Sequence, residues 1–424
     1  MNKYLILFIF IIIIYYFSFN KNKEDLCIIG GGLSGIIASK QLKNKYNVTL
    51  FDENKNLGGA NYTFYYHNKY IDNGVFYLTS SELINFNVFN LLNKYNIELD
   101  YVNFSYSILN YSKYVYKKEI KEFLNDLELN KENEHIIVYD LLKKYRKDFV
   151  ENYIIPISTI ILACDLNISV ADFYYISKIL PFDLNNKPNW IIPKNSTRDL
   201  IEKLSFDIKN IAELNTKIIS VRNVNNKIEV ITNKNKKYLY DKVIFCIRFD
   251  QINNIYKTAS NIEKEIYNEF KYYNIETIIH TDKSILEEFN NLSYLNYNTQ
   301  SKILTVIPEK YDNIYISLLK SNSINNINRS KILDIKKWRH LELSKKIIEN
   351  RKKLHKLQGK NKIYYSGIEM NNSWIGIENS ILSGYYVSEL LGVSYPSIFN
   401  SNKINNIGAF YNYLDFKKRL SDYK

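Results

Sequence analysis

Residues 25–42, DLCIIGGGLSGIIASKQL, followed by NVTLFDENKNLGG over residues 47–59, decide the fold of this chain. Asp25 to Gly30 is a short apolar run, which reads as a fully buried strand. Ile37 and Gln41, with Ala38 and Leu42, recur at helical spacing, which predicts a helix over 33–45. Asn47 to Phe51 reads as a second strand, so the stretch is a strand–helix–strand unit. Its turn is Gly30-Gly31-Gly32-Leu33-Ser34-Gly35, a G-x-G-x-x-G hexapeptide between strand and helix. Gly30 permits the tight turn, Gly32 lets the backbone approach a pyrophosphate, and Gly35 lets helix and strand pack closely. The helix N-terminus, with Ser34 in its first turn, offers unpaired N–H groups to phosphate. Asp52, about 20 residues on, ends the second strand where a carboxylate meets ribose hydroxyls, with Glu53 as its neighbour and competitor. Gly58-Gly59, followed by Ala60, suits backbone passing close to a larger, more buried cofactor.

Working outward, the chain is 424 residues long, enough for roughly two domains. Its composition, 46% hydrophobic and 24% charged, is that of a globular protein and excludes a disordered chain. Three cysteines exclude a disulfide scaffold, and five scattered histidines give no metal-ligand spacing, so no metal site is expected. The net charge of +13 is mostly lysine spread along the whole chain. That spread argues against a nucleic-acid surface, which concentrates charge and uses arginine, but suits an anionic membrane surface.

Tyr4 to Phe19 is almost wholly apolar and as a helix spans roughly 24 Å, short of the ~30 Å bilayer core. It ends in Ser18-Phe19-Asn20 without a small-residue cleavage pattern, and Tyr15 and Tyr16 suit an interface. An uncleaved single-pass membrane anchor is favoured over a signal peptide with a secreted or lumenal protein, or a buried helix. The Asn61-Tyr62-Thr63 sequon sits beside the expected cofactor loop, where a glycan would obstruct it. This favours a cytosolic catalytic domain.

Residues 83–188 read as mostly helical, with Leu141, Leu142, Tyr145 and Phe149 on one stripe. Ser196 or Thr197 caps a helix through Leu204. Strands are expected at 217–222, 227–232, 243–247, 276–279 and 363–366, with turns at Asn225-Asn226 and 233–237. A final helix is expected over 380–391, and the tail after Pro396 is basic and amphipathic. Cys27 and Cys246 are expected in buried strands and Cys164 in an apolar helix. His280 and Asp282 read either as substrate-facing or as a satisfied turn, and Trp374 either as a wall of the cofactor site or as core.

These segments together resemble the FAD-dependent flavin amine oxidase and protoporphyrinogen oxidase-like superfamily. The resemblance runs over residues 25–396. It rests on the N-terminal run, Ile71-Asp72-Asn73-Gly74-Val75, Leu214–Ile218, His280-Thr281-Asp282, Trp338-Arg339-His340, Leu357-Gln358-Gly359, Tyr364–Gly367 and Glu378 with Ser383-Gly384. It implies an α/β fold: an FAD-binding Rossmann-type domain (24–85, 190–255 and 355–396), an interleaved α+β substrate domain (86–189 and 256–354), the N-terminal membrane helix and a tail (397–424). It implies FAD held by Gly30, Gly32, Ser34, Gly35, Asp52, Glu53, Gly58, Gly59, Ala60, Ile218, Gly367, Glu378 and Ser380. In such enzymes the backbone near Ile218 meets adenine, and the last helix, starting near Asn379 or Ser380, points its N-terminus at the flavin. Glu378 is expected to orient cofactor or loop. The sequence departs from the family at Ala60, where many relatives have arginine, at Ile377, where histidine is common, and at Lys194-Asn195, in place of a glycine pair. The implied function is hydride transfer from a small or lipid-like substrate to flavin, with reoxidation by O₂ or another acceptor. The alternatives are redox-neutral isomerisation with the same cofactor and a non-catalytic binding protein. No catalytic residue is nominated.

Overall fold

The computed structural model describes residues 23–74, 78–79, 86–102, 105–111, 115–161, 164–177, 190–320, 326–370 and 376–396. The apolar segment 4–19, Val75, Trp374 and the tail from 397 lie outside the described residues. Among those described, no helix is long and apolar enough to cross a membrane.

Strand β1 (Asp25–Ile29) leads into helix α1 (Leu33–Leu42) and returns as β2 (Asn47–Phe51), as the hydrophobic pattern requires. β1 is the centre of a five-stranded parallel sheet. With β3 (Ala212–Glu213), β4 (Lys242–Phe245) and β5 (Ile363–Tyr365), the order is β5-β4-β1-β2-β3. A parallel sheet is covered on both faces, so its strands are apolar throughout. Alternate residues of β1 enter opposite cores: Leu26 and Ile28 pack with Val48, Leu50 and Ile244, while Cys27 and Ile29 pack with Phe51, Val243 and Phe245. Leu26, Cys27, Ile28 and Ile29 are all buried, the three aliphatic side chains contributing roughly 1.5–3 kcal/mol each.

Three further helices position the cavity described below: α2 (Phe86–Lys94), α3 (Thr197–Ser205) and α4 (Ile377–Leu390). α3 starts as its sequence signals: Ser196 is the N-cap, its hydroxyl accepting the Arg198 N–H at 3.3 Å. Asp72, from the D-x-G-V segment, accepts the Thr197 N–H at 3.0 Å and its hydroxyl at 2.6 Å. α4 crosses α1 at close range. A Cβ on Gly384 would lie 2.7 Å from the Ser34 carbonyl oxygen, and one on Gly35 would lie 1.9 Å from that of Gly30. Hydrogen at these two positions lets two helices and a strand close up.

A second, six-stranded sheet is mostly antiparallel. Its order is Ile332–Leu341, Tyr272–His280, Tyr315–Lys320, Ile303–Val306, Leu295–Asn298 and Tyr106–Ile108, with only the last pair parallel. A three-stranded antiparallel sheet (Ile218–Val224, Lys227–Thr232, Lys237–Tyr240) turns at Asn225 and Asn226, with φ of +44° and +65°. Such paired positive values are tolerated by asparagine in a two-residue hairpin.

Several boundaries differ from the sequence expectation. The segment expected to be helical over 83–188 contains strands at Leu99–Val102 and Tyr106–Ile108. Its stripe is real, with Leu142 and Phe149 buried and Leu141 and Tyr145 packed against the same core. The helix is broken there into Val138–Leu142 and Lys147–Phe149 and continues in π-helical turns over Val150–Ile154 and Ile157–Ile161. Lys237 begins a strand rather than ending a turn, and α4 begins at Ile377, with Gly376 as N-cap.

Candidate functional site

A cavity of about 1120 Å³ runs along the carboxyl ends of β1, β2 and β4, the edge where ligands bind in open α/β sheets. That is slightly beyond the ~300–1,000 Å³ usual for small-molecule sites. Gly30, Gly32, Ser34, Asp52, Glu53, Gly58, Gly59, Ala60, Ile218, Gly367 and Ser380 all line it.

The two glycine segments dock on one another. The Gly58 N–H donates to the Gly31 carbonyl at 2.8 Å, and Gly59, at φ +57°, brings its backbone so near that a Cβ there would stand 2.9 Å from Gly32 Cα. Gly32 itself is ordinary in conformation (φ −70°), and a Cβ on it would meet nothing nearer than Gly59 Cα at 3.9 Å. The space in front of Gly32 is therefore open, at the N-terminus of α1, where a phosphate finds free N–H groups. This is the fit expected of a dinucleotide cradle.

Asp52 ties the cradle together. Its Oδ2 accepts the Gly31 N–H at 2.6 Å, and its Oδ1 accepts the Asn54 N–H and side-chain amide at 2.7 and 2.9 Å. Three of about four acceptor sites are thus filled within the protein, leaving one toward the cavity. Glu53 is half-exposed and pairs with Lys217 at 2.9 Å, beside Ile218.

At the other end, the Gly367 N–H donates to Ser383 Oγ at 2.5 Å, and Ser366 and Ser383 share a hydroxyl bond of 2.7 Å. Ser380 sits in the first turn of α4, its N–H used by Gly376 O at 3.2 Å. Glu369, which sequence reasoning missed, also lines the cavity: the Tyr272 hydroxyl donates to its Oε1 at 2.8 Å, and burial raises its pKa. Its only sequence signal was its place two residues after Gly367.

Two expected site residues lie elsewhere. Gly35 does not line the cavity; it serves the helix–strand contact given above. Glu378 corrects the sequence expectation more sharply. Its carboxylate turns away from the cavity into the N-terminus of α2. There Oε1 accepts the Asn87 N–H at 3.1 Å and side-chain amide at 2.5 Å, and Oε2 accepts the Val88 N–H at 3.0 Å. Burial pushes its pKa up to about 7 against these hydrogen bonds. It is a helix cap supplied from another helix.

The remaining candidates settle as structure. His280 Nδ1 accepts the Asp282 N–H at 3.2 Å and Nε2 meets Ser317 Oγ at 2.9 Å; burial lowers its pKa to about 4. Asp282 accepts from Ser284, Asn328 and Lys331, so the pair forms a satisfied turn. Cys27 and Cys164 are buried, as expected, but Cys164 lies in an isolated bridge to Leu343 and not in a helix. Cys246 follows the end of β4 rather than lying within it, and it lines the cavity. Burial pushes its thiol up to about 12 despite hydrogen bonds with Ser34 and Ser366, which keeps it protonated and unreactive. Among the described residues, no group of three His, Cys, Asp or Glu could hold a metal ion.

Residues 28–95 match the family model of an NAD(P)-binding Rossmann-like domain. No curated protein matches significantly. Among solved structures, the fold is similar to a conjugated-linoleic-acid-producing fatty acid isomerase from P. acnes (TM-score 0.67, 13% identity, covering 88% of this chain and 98% of that one). It is similar also to cyclohexylamine oxidase from Brevibacterium oxydans IH-35A (TM-score 0.66, 12% identity, 87% and 99%). A third is a candidate protoporphyrinogen oxidase from Exiguobacterium sp. 255-15 (TM-score 0.64, 14% identity, 87% and 98%). At these identities the likeness is one of fold: the chain is an α/β protein with a Rossmann-like domain, and its fold is similar to that of the oxidases and the isomerase just named.

Proposed function

We infer that the chain is an FAD-dependent oxidoreductase of amine-oxidase-like architecture acting on a small or lipid-like molecule. The observation that carries this reading is the single cavity joining the Gly30–Gly32 cradle and Asp52 to Gly367 and Ser380. The glycine turn fits a diphosphate, and about 1120 Å³ leaves room for a dinucleotide. When bound, FAD supplies the chemistry: it accepts a hydride from substrate and passes the electrons to O₂ or another acceptor.

The protein's part is binding and orientation. Gly30, Gly32 and Ser34 would hold the diphosphate, Asp52 the ribose through its remaining acceptor site, and the backbone near Ile218 the adenine. The first turn of α4 carries partial positive charge and would favour negative charge developing beside it. Glu369 lies beside Gly367, held by the Tyr272 hydroxyl, and burial raises its pKa. The segment 4–19 is read as a membrane anchor that keeps a cytosolic catalytic domain near lipid.

Purified protein should show the visible absorption band of bound flavin, and anaerobic addition of the right substrate should bleach it. Colourless, folded protein that cannot be reconstituted with FAD would end this reading. The fold likeness to a fatty acid isomerase supports a second reading, redox-neutral isomerisation; anaerobic turnover without an electron acceptor would select it.

A further inference from the structure

We propose that the cavity selects an anionic, carboxylate-bearing substrate, and that Lys336 is the residue that recognises the carboxylate. This rests on the reading of the cavity as the chamber for cofactor and substrate, and it names the substrate class within it.

The first observation is the balance of charge. Eight cationic side chains and four carboxylates line the cavity. The four carboxylates are committed. Asp52 is bound to Gly31 and Asn54, Glu53 to Lys217, Glu202 to Arg198 at 2.6 Å, and Glu369 to the Tyr272 hydroxyl. Glu276 and Asp250, outside the lining, neutralise two more of the cations, so the walls keep two net positive charges, about what a dinucleotide's diphosphate would offset.

The second observation is a cation on the wall that is held by aromatic rings instead of by an acid. The strand Ile332–Leu341 forms one wall, and Lys336, Lys337 and Arg339 all line the cavity from it. Lys337 is paired with Glu276 at 3.2 Å, and Arg339 shares Asp250 with Arg248 at 2.6 and 3.0 Å. Lys336 has no ion-pair partner among the described residues. Asp334, two residues back on the same face, accepts from the Asn73 amide at 2.7 Å. The Lys336 ammonium instead lies 4.3 Å from the Tyr62 ring centre and 5.6 Å from that of Trp338. Trp338 is fixed in turn, its indole N–H donating to Thr277 Oγ1 at 2.8 Å.

Two aromatic faces hold an ammonium in place without neutralising it. The result is a positioned, half-buried positive charge at the wall of the chamber, next to apolar ring surface. It suits a carboxylate whose hydrocarbon body continues into the cavity, and it repels an amine, which is a cation at neutral pH.

The test uses the flavin-loaded, full-length protein and three probes of equal length: octanoate, octylamine and octanol. Binding is followed by perturbation of the flavin spectrum and, independently, by calorimetry. Octanoate should bind more tightly than octanol, octylamine should not bind measurably, and added salt should weaken the octanoate complex. Lys336→Met should weaken octanoate on the order of 10- to 100-fold with flavin content unchanged, and Lys336→Arg should restore most of the affinity. Equal affinity of the methionine variant for octanoate, tighter binding of octylamine, or loss of flavin instead of octanoate from the methionine variant would each overturn the proposal. If the wild type carries no flavin, the functional reading fails; calorimetry with the three probes still decides on Lys336.

Discussion

Gly32 is a residue whose side chain the protein could accommodate and whose ligand could not. At φ −70°, a Cβ there meets no backbone strain and nothing nearer than Gly59 Cα at 3.9 Å. Gly32→Val is therefore expected to leave the thermal midpoint of the flavin-free protein nearly unchanged while abolishing flavin retention, because the new methyl groups fill the space before the α1 N-terminus. Full flavin content in that variant, measured on folded protein, would contradict the cradle assignment. Glu378 makes the opposite case, a conspicuous carboxylate whose work is internal. Its folded pKa of about 7 stands above the ~4.3 of an unfolded glutamate, so the folded state binds more protons between those values. Its contribution to stability is thus fully present below about pH 4 and falls away as pH rises through 7, by about 4 kcal/mol at most. Glu378→Gln, which cannot titrate, sets an amide against the Val88 N–H and should destabilise by about 1–3 kcal/mol. The gap between wild type and this variant should narrow from pH 5 to pH 8 in urea unfolding. A gap that widens would mean that the hydrogen bonds from Asn87 and Val88 outweigh burial.

At the scale of elements, helices α1 and α4 meet through Gly384, and the contact shapes both ends of the cavity at once: α1 presents the cradle and α4 presents Ser380. Gly384→Ala would put a Cβ 2.7 Å from the Ser34 carbonyl and 2.8 Å from Ile37 Cβ, in a fully packed seam. Overpacking of this kind costs about 1–3 kcal/mol, so a lower urea midpoint with weaker flavin affinity is expected; an unchanged midpoint would show that the helices are free to separate. The first strand–helix–strand unit was legible because parallel strands buried on both faces are plain apolar runs and its glycines mark where backbones meet. Of the second sheet only the strand at 276–279 was legible, and the rest was not, for a physical reason. In Ile332–Leu341, Asp334, Lys336, Trp338 and His340 form the less exposed face and Ile335, Lys337 and Arg339 the more exposed one. A strand that walls a polar cavity turns its charges inward, so the usual alternation of apolar-in and polar-out is scrambled. Lys336 and Glu369 were missed with it. Glu378 was misplaced because a carboxylate in the first turn of the last helix can face either the cavity or a neighbouring helix, and only the position of α2, remote in sequence, decides between them.

For the whole molecule, the folded part begins within a few residues of the apolar segment 4–19, since β1 starts at Asp25. If that segment lies in a bilayer, the Rossmann sheet is tethered by a linker of only about five residues, no more than ~18 Å fully extended, and the domain is confined to the membrane surface. The overall charge of +13 adds attraction to anionic lipid. The two contributions separate cleanly. Deleting residues 1–20 removes the apolar segment and Lys3 but leaves all the described residues, the cavity among them, in place. The truncated protein is expected to retain its flavin and to leave neutral phosphatidylcholine vesicles entirely. Any remaining association with vesicles containing phosphatidylserine should disappear as salt is raised, because screening shortens to ~3 Å at 1 M. Flotation of both proteins on both kinds of vesicle measures this. Persistent binding of the truncated form to neutral vesicles would show that the apolar segment is not the anchor.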